Sequence, residues 1–309
     1  SSENIAYRLC QELDFDILLT GHQHMCIPGQ TLFGTFAVQA PDSGRAFISL
    51  KALVADGHVI CNSQAIPAGG DCDPILLDRF GNLEQGAQTW LDTVVGRLDR
   101  PLLPAPPLIM AAEGNDIADF FNEVQMSCSG AQLAATSLAN EIAGFPQTVR
   151  RRDVLTAYPY TNTLTVLRVT GSVLRRAMER SAEYFAVDGE GRLCVADAFL
   201  KPKVEHYNYD YFSGVNYAFD ISRPEGQRVV ELTYRGEAVK DEDVFTICLN
   251  SYRASGAGGY PEYTQCQVVR EINIEMSDLI LDFFKNTPKV SLKTHRWFAV
   301  YTSPGIGAL

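Results

Sequence analysis

Apolar residues recur at four-residue spacing near the start of the chain, at Ile5, Leu9 and Leu13, which predicts the end of a helix over residues 5–13. The run Phe15-Asp-Ile-Leu-Leu19 reads as a short strand that ends in the turn Thr20-Gly-His-Gln-His24. Apolar and polar positions alternate over 31–40 and 45–55, as in half-buried strands, and Asp56-Gly57 marks a turn. One helix and three strands in roughly 65 residues cannot enclose a core of their own. The stretch therefore reads as the end of a larger unit whose remainder lies upstream.

The next pattern is helical. Leu83, Ala87, Trp90, Leu91, Val94 and Leu98 fall on one face, predicting an amphipathic helix over 81–98. Four prolines in Arg100-Pro-Leu-Leu-Pro-Ala-Pro-Pro107 make a stiff, extended connection. The expected organisation is therefore a remnant over 1–70, a linker helix and Pro-rich linker over 71–107, and a second domain over 108–309. In that domain Ile117, Phe120, Phe121 and Val124 mark a helix, Leu164–Val169 alternates as a strand, and Leu174, Ala177, Met178 and Phe185 mark another helix. Asp188-Gly-Glu-Gly191 and Tyr234-Arg-Gly236 read as hairpin turns. A last helix starts near Ser277 and is stopped by Pro288. The expected class is mixed α and β (α+β).

Charge narrows the partners. The 309 residues carry 26 Lys and Arg against 37 Asp and Glu, a formal charge of −11. Affinity for a nucleic acid polymer comes mostly from cations that neutralise phosphates, so such a partner is not expected, whereas single nucleotides remain open. No run of eighteen apolar residues is present, so no membrane span is expected. The eight cysteines form no Cys-x-x-Cys pair, which argues against a cysteine zinc site, and they do not reveal a compartment. The opening Ser-Ser-Glu-Asn has neither methionine nor the basic and apolar regions of a leader. The expectation is that an amino-terminal portion precedes it.

Three features could carry chemistry. His22 and His24, one residue apart after a glycine, could each reach a different metal if both rings faced one side, although two imidazoles do not complete a site. The glycine-rich stretch Asn250-Ser-Tyr-Arg-Ala-Ser-Gly-Ala-Gly-Gly-Tyr260 follows an apolar strand, Val244–Leu249, and lets backbone approach a ligand. It has the spacing of neither a P-loop nor a dinucleotide fingerprint. Ala157-Tyr-Pro-Tyr-Thr-Asn-Thr-Leu164 sets aromatic faces just before a strand, where they could stack a nucleobase or simply pack. His58, His206 and His295 show no ligand spacing, and no nucleophile–histidine–acid arrangement emerges.

Taken in order, these motifs resemble the 5′-nucleotidase family, in its bacterial branch of 2′,3′-cyclic-nucleotide 2′-phosphodiesterase/3′-nucleotidases. Thr20-Gly-His-Gln-His24 is similar to the last metal motif of the family's calcineurin-like metallophosphoesterase domain. Tyr158-Pro-Tyr-Thr-Asn-Thr-Leu164 and Asn250-Ser-Tyr-Arg-Ala-Ser-Gly256 are similar to its two base-stacking segments. Gly214-Val-Asn-Tyr217, followed by Asp220-Ile-Ser, is similar to a strand of the cyclic-phosphodiesterase branch. The resemblance implies a 5′-nucleotidase carboxy-terminal domain fold preceded by the tail of a metallophosphoesterase αββα sandwich.

It further implies that Tyr160 and Tyr252 sandwich the base, while His22 and His24 each hold one of two divalent metals such as zinc or manganese. Asn250, Ser251 and Arg253, with Ser137 and Asn140, are implied contacts to nucleoside. Where the 5′-nucleotidases carry an aspartate that contacts the base, Gly258 stands here, and the cyclic-phosphodiesterase branch also lacks that aspartate. The family's other metal motifs have no counterpart in this sequence. The expectation is thus the specificity part of a phosphoric ester hydrolase that takes nucleosides and mononucleotides in nucleotide catabolism. This chain alone is expected to be inactive and to hold no metal stably, and a periplasmic, wall-attached or secreted location is implied. The alternative is a non-catalytic module that only binds nucleosides.

Overall fold

A computed structural model describes residues 5–292 and 298–301. The chain forms two compact units that divide between Asn82 and Leu83. The first holds α1 (Ala6–Glu12), β1 (Ile17–Thr20), β2 (Ile27–Leu32), β3 (Thr35–Gln39), β4 (Ala46–Ala55) and β5 (His58–Pro67). Helix α2 (Pro74–Leu91) runs across the division.

Strand β3 lies between β1, which is parallel to it, and β2, which is antiparallel. The expected single strand over 31–40 is broken at Phe33-Gly34. Both residues have positive φ, 51° and 94°, the two-residue hairpin turn that matches strand twist. Asp56-Gly57 closes the β4–β5 hairpin in the same way, with φ of 50° and 77°. This unit buries few apolar side chains: Cys10, Ala37 and Val38 are buried, whereas Leu19, Phe33, Phe47, Leu53, Val54 and Ile60 are exposed.

Helix α2 corrects the expected helix over 81–98 at both ends. Asp73 starts it by accepting from the amides of Ile75 and Leu76 (2.8 and 3.3 Å). It ends at Leu91, because Val94–Leu98 is a strand, β6. A Cβ on Gly96 would collide with the Phe284 ring, so the apparent continuation of the apolar face is the approach of a strand to a helix. No residue of α2 is buried.

After β6 come α3 (Pro107–Glu113), α4 (Asp116–Ser129), β7 (Leu133–Thr136), β8 (Thr148–Arg150), α5 (Arg151–Ala157), β9 (Leu164–Thr170) and α6 (Gly171–Ala182). Next are β10 (Phe185–Val187), β11 (Leu193–Val195), β12 (Tyr211–Ser213), β13 (Asn216–Asp220), β14 (Val229–Tyr234) and β15 (Glu237–Ala238). The order ends with β16 (Val244–Asn250), α7 (Ser251–Ala254), β17 (Gln267–Ile272), α8 (Met276–Asn286), β18 (Lys289–Val290) and β19 (Phe298–Tyr301). Phe185, expected on the helix of Leu174 and Met178, instead opens the β10–β11 hairpin. The Pro-rich stretch lies within the second unit: Leu102 is fully buried and pairs with Phe145 in an isolated β-bridge.

The central sheet of this unit runs β12-β7-β16-β9-β17. Helix α4 packs on it through Ile117, Phe120, Phe121 and Val124, none more than 1% exposed. Asn115 caps α4 by accepting from the Ile117 amide at 2.7 Å, and Gly130 ends it at φ 70°. The fold is mixed α and β, as its alternating periodicities imply. Cys248, in the middle strand, is a fully buried thiol whose pKa burial pushes up to about 12, so it serves as packing.

Candidate functional site

Strand pairing brings four loops to one edge of the central sheet. In the antiparallel pair of β16 and β9, Asn250 lies opposite Leu164, so the loop before β9 meets the loop after β16. Strand β7 is parallel to β16, so Ser137, just beyond β7, emerges at the same edge. Strand β12 is antiparallel to β7 with Tyr211 opposite Thr136, which adds the residues before β12. The loops are therefore 137–140, 158–163, 203–210 and 251–260. Ligands commonly bind beyond the carboxyl ends of parallel strands, and the parallel pair β7 and β16 ends at this edge.

The two tyrosine-bearing loops are tied to each other. The Ser251 amide donates to the Thr163 carbonyl at 2.8 Å. Tyr158 is buried, and the side chains of Asn162 and Asn250 act on its hydroxyl to lower its pKa. Burial pushes its pKa up to about 12, so it remains a neutral phenol. Its ring meets Phe121 and Tyr160 edge-on, with centroids 5.2 and 6.2 Å away. Tyr160 is 39% exposed, enough to offer a face to a ligand. Burial raises its pKa, and so do the phenols of Tyr207 and Tyr252, which places all three in one electrostatic neighbourhood.

Asn250 has a structural role. It is 6% exposed, and its side-chain oxygen accepts from the Arg253 amide at 2.7 Å as the cap of α7. Arg253, an implied nucleoside contact, is turned inward and is 1% exposed. Its Nε lies 2.8 and 3.0 Å from the two Asp210 carboxylate oxygens, and Nη2 lies 2.8 Å from Oδ1. Nη1 donates to the Ala257 carbonyl at 2.6 Å and Nη2 to that of Tyr207 at 3.1 Å. The guanidinium also lies 4.1 Å from the centroid of the Tyr260 ring. Arg253 is thus a clamp that joins the glycine-rich loop to 207–210. Burial works against its charge and the Asp210 carboxylate more than offsets this, so it stays protonated. Burial raises Asp210, and Arg253 pulls part of that back.

Arg180, on α6, adds a second tether. Its Nη2 donates to the Gly258 carbonyl at 3.2 Å while Nη1 pairs with Glu183 at 2.9 Å. Gly258 itself has φ 74°, and a Cβ there would collide with Nη1 of Arg253 and Oδ1 of Asn208. No aspartate fits this position without displacing the clamp. Gly258→Ala is expected to cost about 1–3 kcal/mol by urea unfolding, from left-handed backbone and overpacking together.

Ser137 is half-buried at the edge, and Asn140 donates from Nδ2 to the Val204 carbonyl at 2.8 Å. Asn140 therefore secures the 203–210 segment. That segment carries Tyr207 and Asp210, which the motifs did not single out. Its signal was the aromatic-dense run Tyr207-Asn-Tyr-Asp-Tyr211 directly before a strand.

His22 and His24 belong to the first unit. Both are exposed, and their backbones are left-handed, with φ of 76° and 56°. Outside glycine such values are uncommon, and neither residue sits in a two-residue hairpin turn as Phe33 and Asp56 do. The turn is braced by buried Gln39, which accepts from the Thr20 hydroxyl at 3.0 Å and donates to the Met25 carbonyl at 3.1 Å. Among the described residues, no three His, Cys, Asp or Glu side chains are grouped so as to hold a metal. Two imidazoles do not amount to a metal centre.

The sequence model of the 5′-nucleotidase C-terminal domain matches residues 94–265, more than half of the chain and all four loops of the sheet edge. This chain belongs to that family. A trifunctional nucleotide phosphoesterase of Bacillus subtilis (strain 168) is 28% identical over 159 residues, 46% of this chain and 10% of that protein. A 2′,3′-cyclic-nucleotide 2′-phosphodiesterase/3′-nucleotidase of Haemophilus influenzae is 29% identical over 180 residues, 52% of this chain and 26% of that protein. Among solved structures, a candidate 5′-nucleotidase from Staphylococcus aureus in complex with α-ketoglutarate is 32% identical, with a TM-score of 0.83. That likeness covers 97% of this chain and 59% of the other, so it takes in both units. A 5′-nucleotidase precursor from Thermus thermophilus shares the fold, at 17% identity and a TM-score of 0.61 over 94% of this chain and 60% of the other. The chain spans less than two thirds of the length of these relatives.

Proposed function

We propose that the second unit is the nucleoside-binding part of a nucleotidase or 2′,3′-cyclic-nucleotide phosphodiesterase, with a base held between Tyr160 and Tyr252. The observation that carries this is the convergence of the 158–163 and 251–260 loops at one sheet edge, fixed by the Asn250–Leu164 register. Half-exposed Tyr160 and half-buried Tyr252 supply the flat faces that a base requires. Buried Tyr158 and Arg253 hold the loops that carry them. Hydrolysing relatives such as the Haemophilus influenzae enzyme support the assignment to nucleotide substrates. The role of such a site is to position the substrate, with the bond-breaking groups supplied elsewhere.

We further propose that the first unit is the tail of a metallophosphoesterase domain, in which His22 and His24 each ligate one of two divalent metals. The left-handed backbone at both residues and the Gln39 brace support a turn whose shape is held for a purpose. The exposed apolar side chains of β4 and β5 fit a face covered by the rest of that domain. The remaining metal ligands then come from outside the described residues.

Two measurements test this reading. Adenosine titrated calorimetrically into the purified chain is expected to bind, and absence of heat at millimolar ligand would count against a nucleoside site. The same chain with zinc or manganese is expected to release no phosphate from 3′-AMP or 2′,3′-cyclic AMP beyond background. Metal-dependent turnover would overturn the division of labour between this chain and ligands supplied from elsewhere.

A further inference from the structure

The 203–207 stretch is tied to the rest of its unit at several points. Asn140 donates to the Val204 carbonyl at 2.8 Å, and Arg253 donates to that of Tyr207 at 3.1 Å. The Glu205 amide donates to the Phe199 carbonyl at 2.8 Å. A further tie joins two side chains: the Tyr184 hydroxyl lies 2.7 Å from Nδ1 of His206, with the ring centroids 5.8 Å apart and edge-on. Tyr184 stands between α6 and β10, 22 positions from its partner. The carbonyl acceptors exchange no proton near neutrality, and Arg253 stays protonated. Imidazole is the side chain whose ordinary pKa falls between pH 5 and pH 8.

Tyr184 is 1% exposed, and burial pushes its pKa well up, so it is a neutral phenol with one proton to donate. Among the described residues, Nδ1 of His206 is the acceptor for that proton. The pair is therefore satisfied when Nδ1 is bare and the imidazole neutral. Protonated His206 turns an N–H toward the phenol, which must then accept and leave its own proton without a partner in the interior. The new charge is also half-buried. Charged groups on the surrounding elements are engaged with one another. On α6, Arg180 pairs with Glu183 at 2.9 Å, and in the 197–201 turn Lys201 pairs with Asp197 at 2.9 Å. On the stretch itself, Lys203 donates to the Tyr207 hydroxyl at 3.3 Å, and Glu205 accepts from the Asn208 side chain at 3.0 Å. Burial is what acts on the imidazole, and it lowers the His206 pKa.

We propose that His206 and Tyr184 form a pH-sensitive latch, which holds the 203–207 stretch closed at neutral pH and releases it on acidification, loosening the sheet edge around its ligand. The ligand half of this rests on the nucleoside-site reading, whereas the latch rests on the side-chain pair. The closed loop takes up a proton less readily than the open one. Closure is therefore complete above the ordinary imidazole value of about 6.5, and it is lost as pH falls from there through the lowered value. The test uses the whole chain as wild type, His206→Gln and Tyr184→Phe, at about pH 7.5 and about pH 5, on either side of the histidine range. By NMR the His206 ring is expected to titrate below about 6.5 in wild type. Tyr184→Phe removes the donor to the neutral imidazole and is expected to move that midpoint up. Hydrogen-exchange protection of the Glu205, Asn208 and Tyr209 amides, all hydrogen-bonded, is the loop readout. It is expected to fall about fivefold in wild type on acidification, the worth of one hydrogen bond. In His206→Gln, whose side-chain carbonyl does not titrate, it is expected to stay constant. Adenosine affinity is expected to follow the same pattern in both proteins.

A wild-type midpoint at or above 6.5, or protection that falls equally in wild type and His206→Gln, overturns the latch. Protection that falls only in wild type while adenosine affinity stays constant overturns the coupling to ligand and leaves the nucleoside site standing. Absence of adenosine binding at both pH values overturns the nucleoside reading and the coupling with it, while the protection of the three amides still decides the latch. Matching unfolding midpoints of the three proteins at the higher pH show that the comparison reads the loop rather than global folding. Should His206→Gln fail to fold, an unmoved His206 midpoint in Tyr184→Phe overturns the latch by itself.

Discussion

Arg253→Ala is expected to destabilise the protein by about 3–5 kcal/mol at pH 7, read as a shift of the urea midpoint, because it leaves Asp210 buried without its partner. The side chains of both residues are 2% exposed, so water cannot replace the lost guanidinium. The carbonyls of Ala257 and Tyr207 lose their donor in the same step. Lysine is not expected to rescue the site, since an ammonium cannot meet the carboxylate edge-on and reach two carbonyls in the same plane. Arg253→Met combined with Asp210→Leu is expected to cost less than Arg253→Ala alone, because no buried charge remains.

The loss from Arg253→Ala also has a defined pH dependence. Burial already raises Asp210 in the wild type, and Arg253 supplies the two largest opposing influences, charge and hydrogen bonding. Without them the folded-state pKa rises further above the unfolded value of roughly 3.9. A raised pKa means that the folded state binds the proton more readily than the unfolded chain. Because the unfolded chains titrate alike, the penalty is smallest below the raised wild-type pKa of Asp210, grows as pH climbs from there through the still higher value of the variant, and levels off beyond it. Unfolding of wild type and variant at pH 4 and pH 7 is expected to show the smaller difference at pH 4. A constant difference would mean that Asp210 is not the origin of the loss.

That clamp also shows where sequence reading stops. Arg253 follows Tyr252 in a loop with the look of a binding motif, so its charge suggests a ligand contact. Its actual partner, Asp210, is 43 positions away and is marked by no local pattern. The reverse holds for the 158–163 and 251–260 loops, which are legible because each abuts a strand with clear alternation. Their convergence was not legible, since it depends on the register of β9 and β16. The 203–210 loop reaches the edge only because β12 pairs with β7, a contact between residues far apart in the chain. Periodicity misled over 81–98 for a related reason. Leu91, Val94 and Leu98 continue a helical spacing, yet pairing of β6 with β8 and β18 outweighs it, and Gly96 lets the strand close on Phe284.

The Tyr160→Ala/Tyr252→Ala variant is expected to lose adenosine binding altogether within the range of calorimetry. Each base–aromatic stack is worth roughly 1–3 kcal/mol, so one ring removed weakens binding about 5- to 150-fold. The two losses need not add: a base sandwiched between rings can settle on the survivor, so each single variant is expected to show less than half of the combined loss. Folding is expected to change little, because Tyr160 is 39% exposed and the loop anchors are Tyr158, Asn250 and Arg253. Tyr158→Phe provides the contrast. It keeps the buried ring against Phe121 but removes the hydroxyl on which Asn162 and Asn250 act, so stability is expected to fall by about 1 kcal/mol. Its adenosine affinity would follow only as far as the loops loosen. A double variant that binds adenosine like wild type would relegate both tyrosines to packing and move the base elsewhere on the edge. Partial losses in the single variants and a complete loss in the double variant, with an intact unfolding midpoint, would locate the base between them.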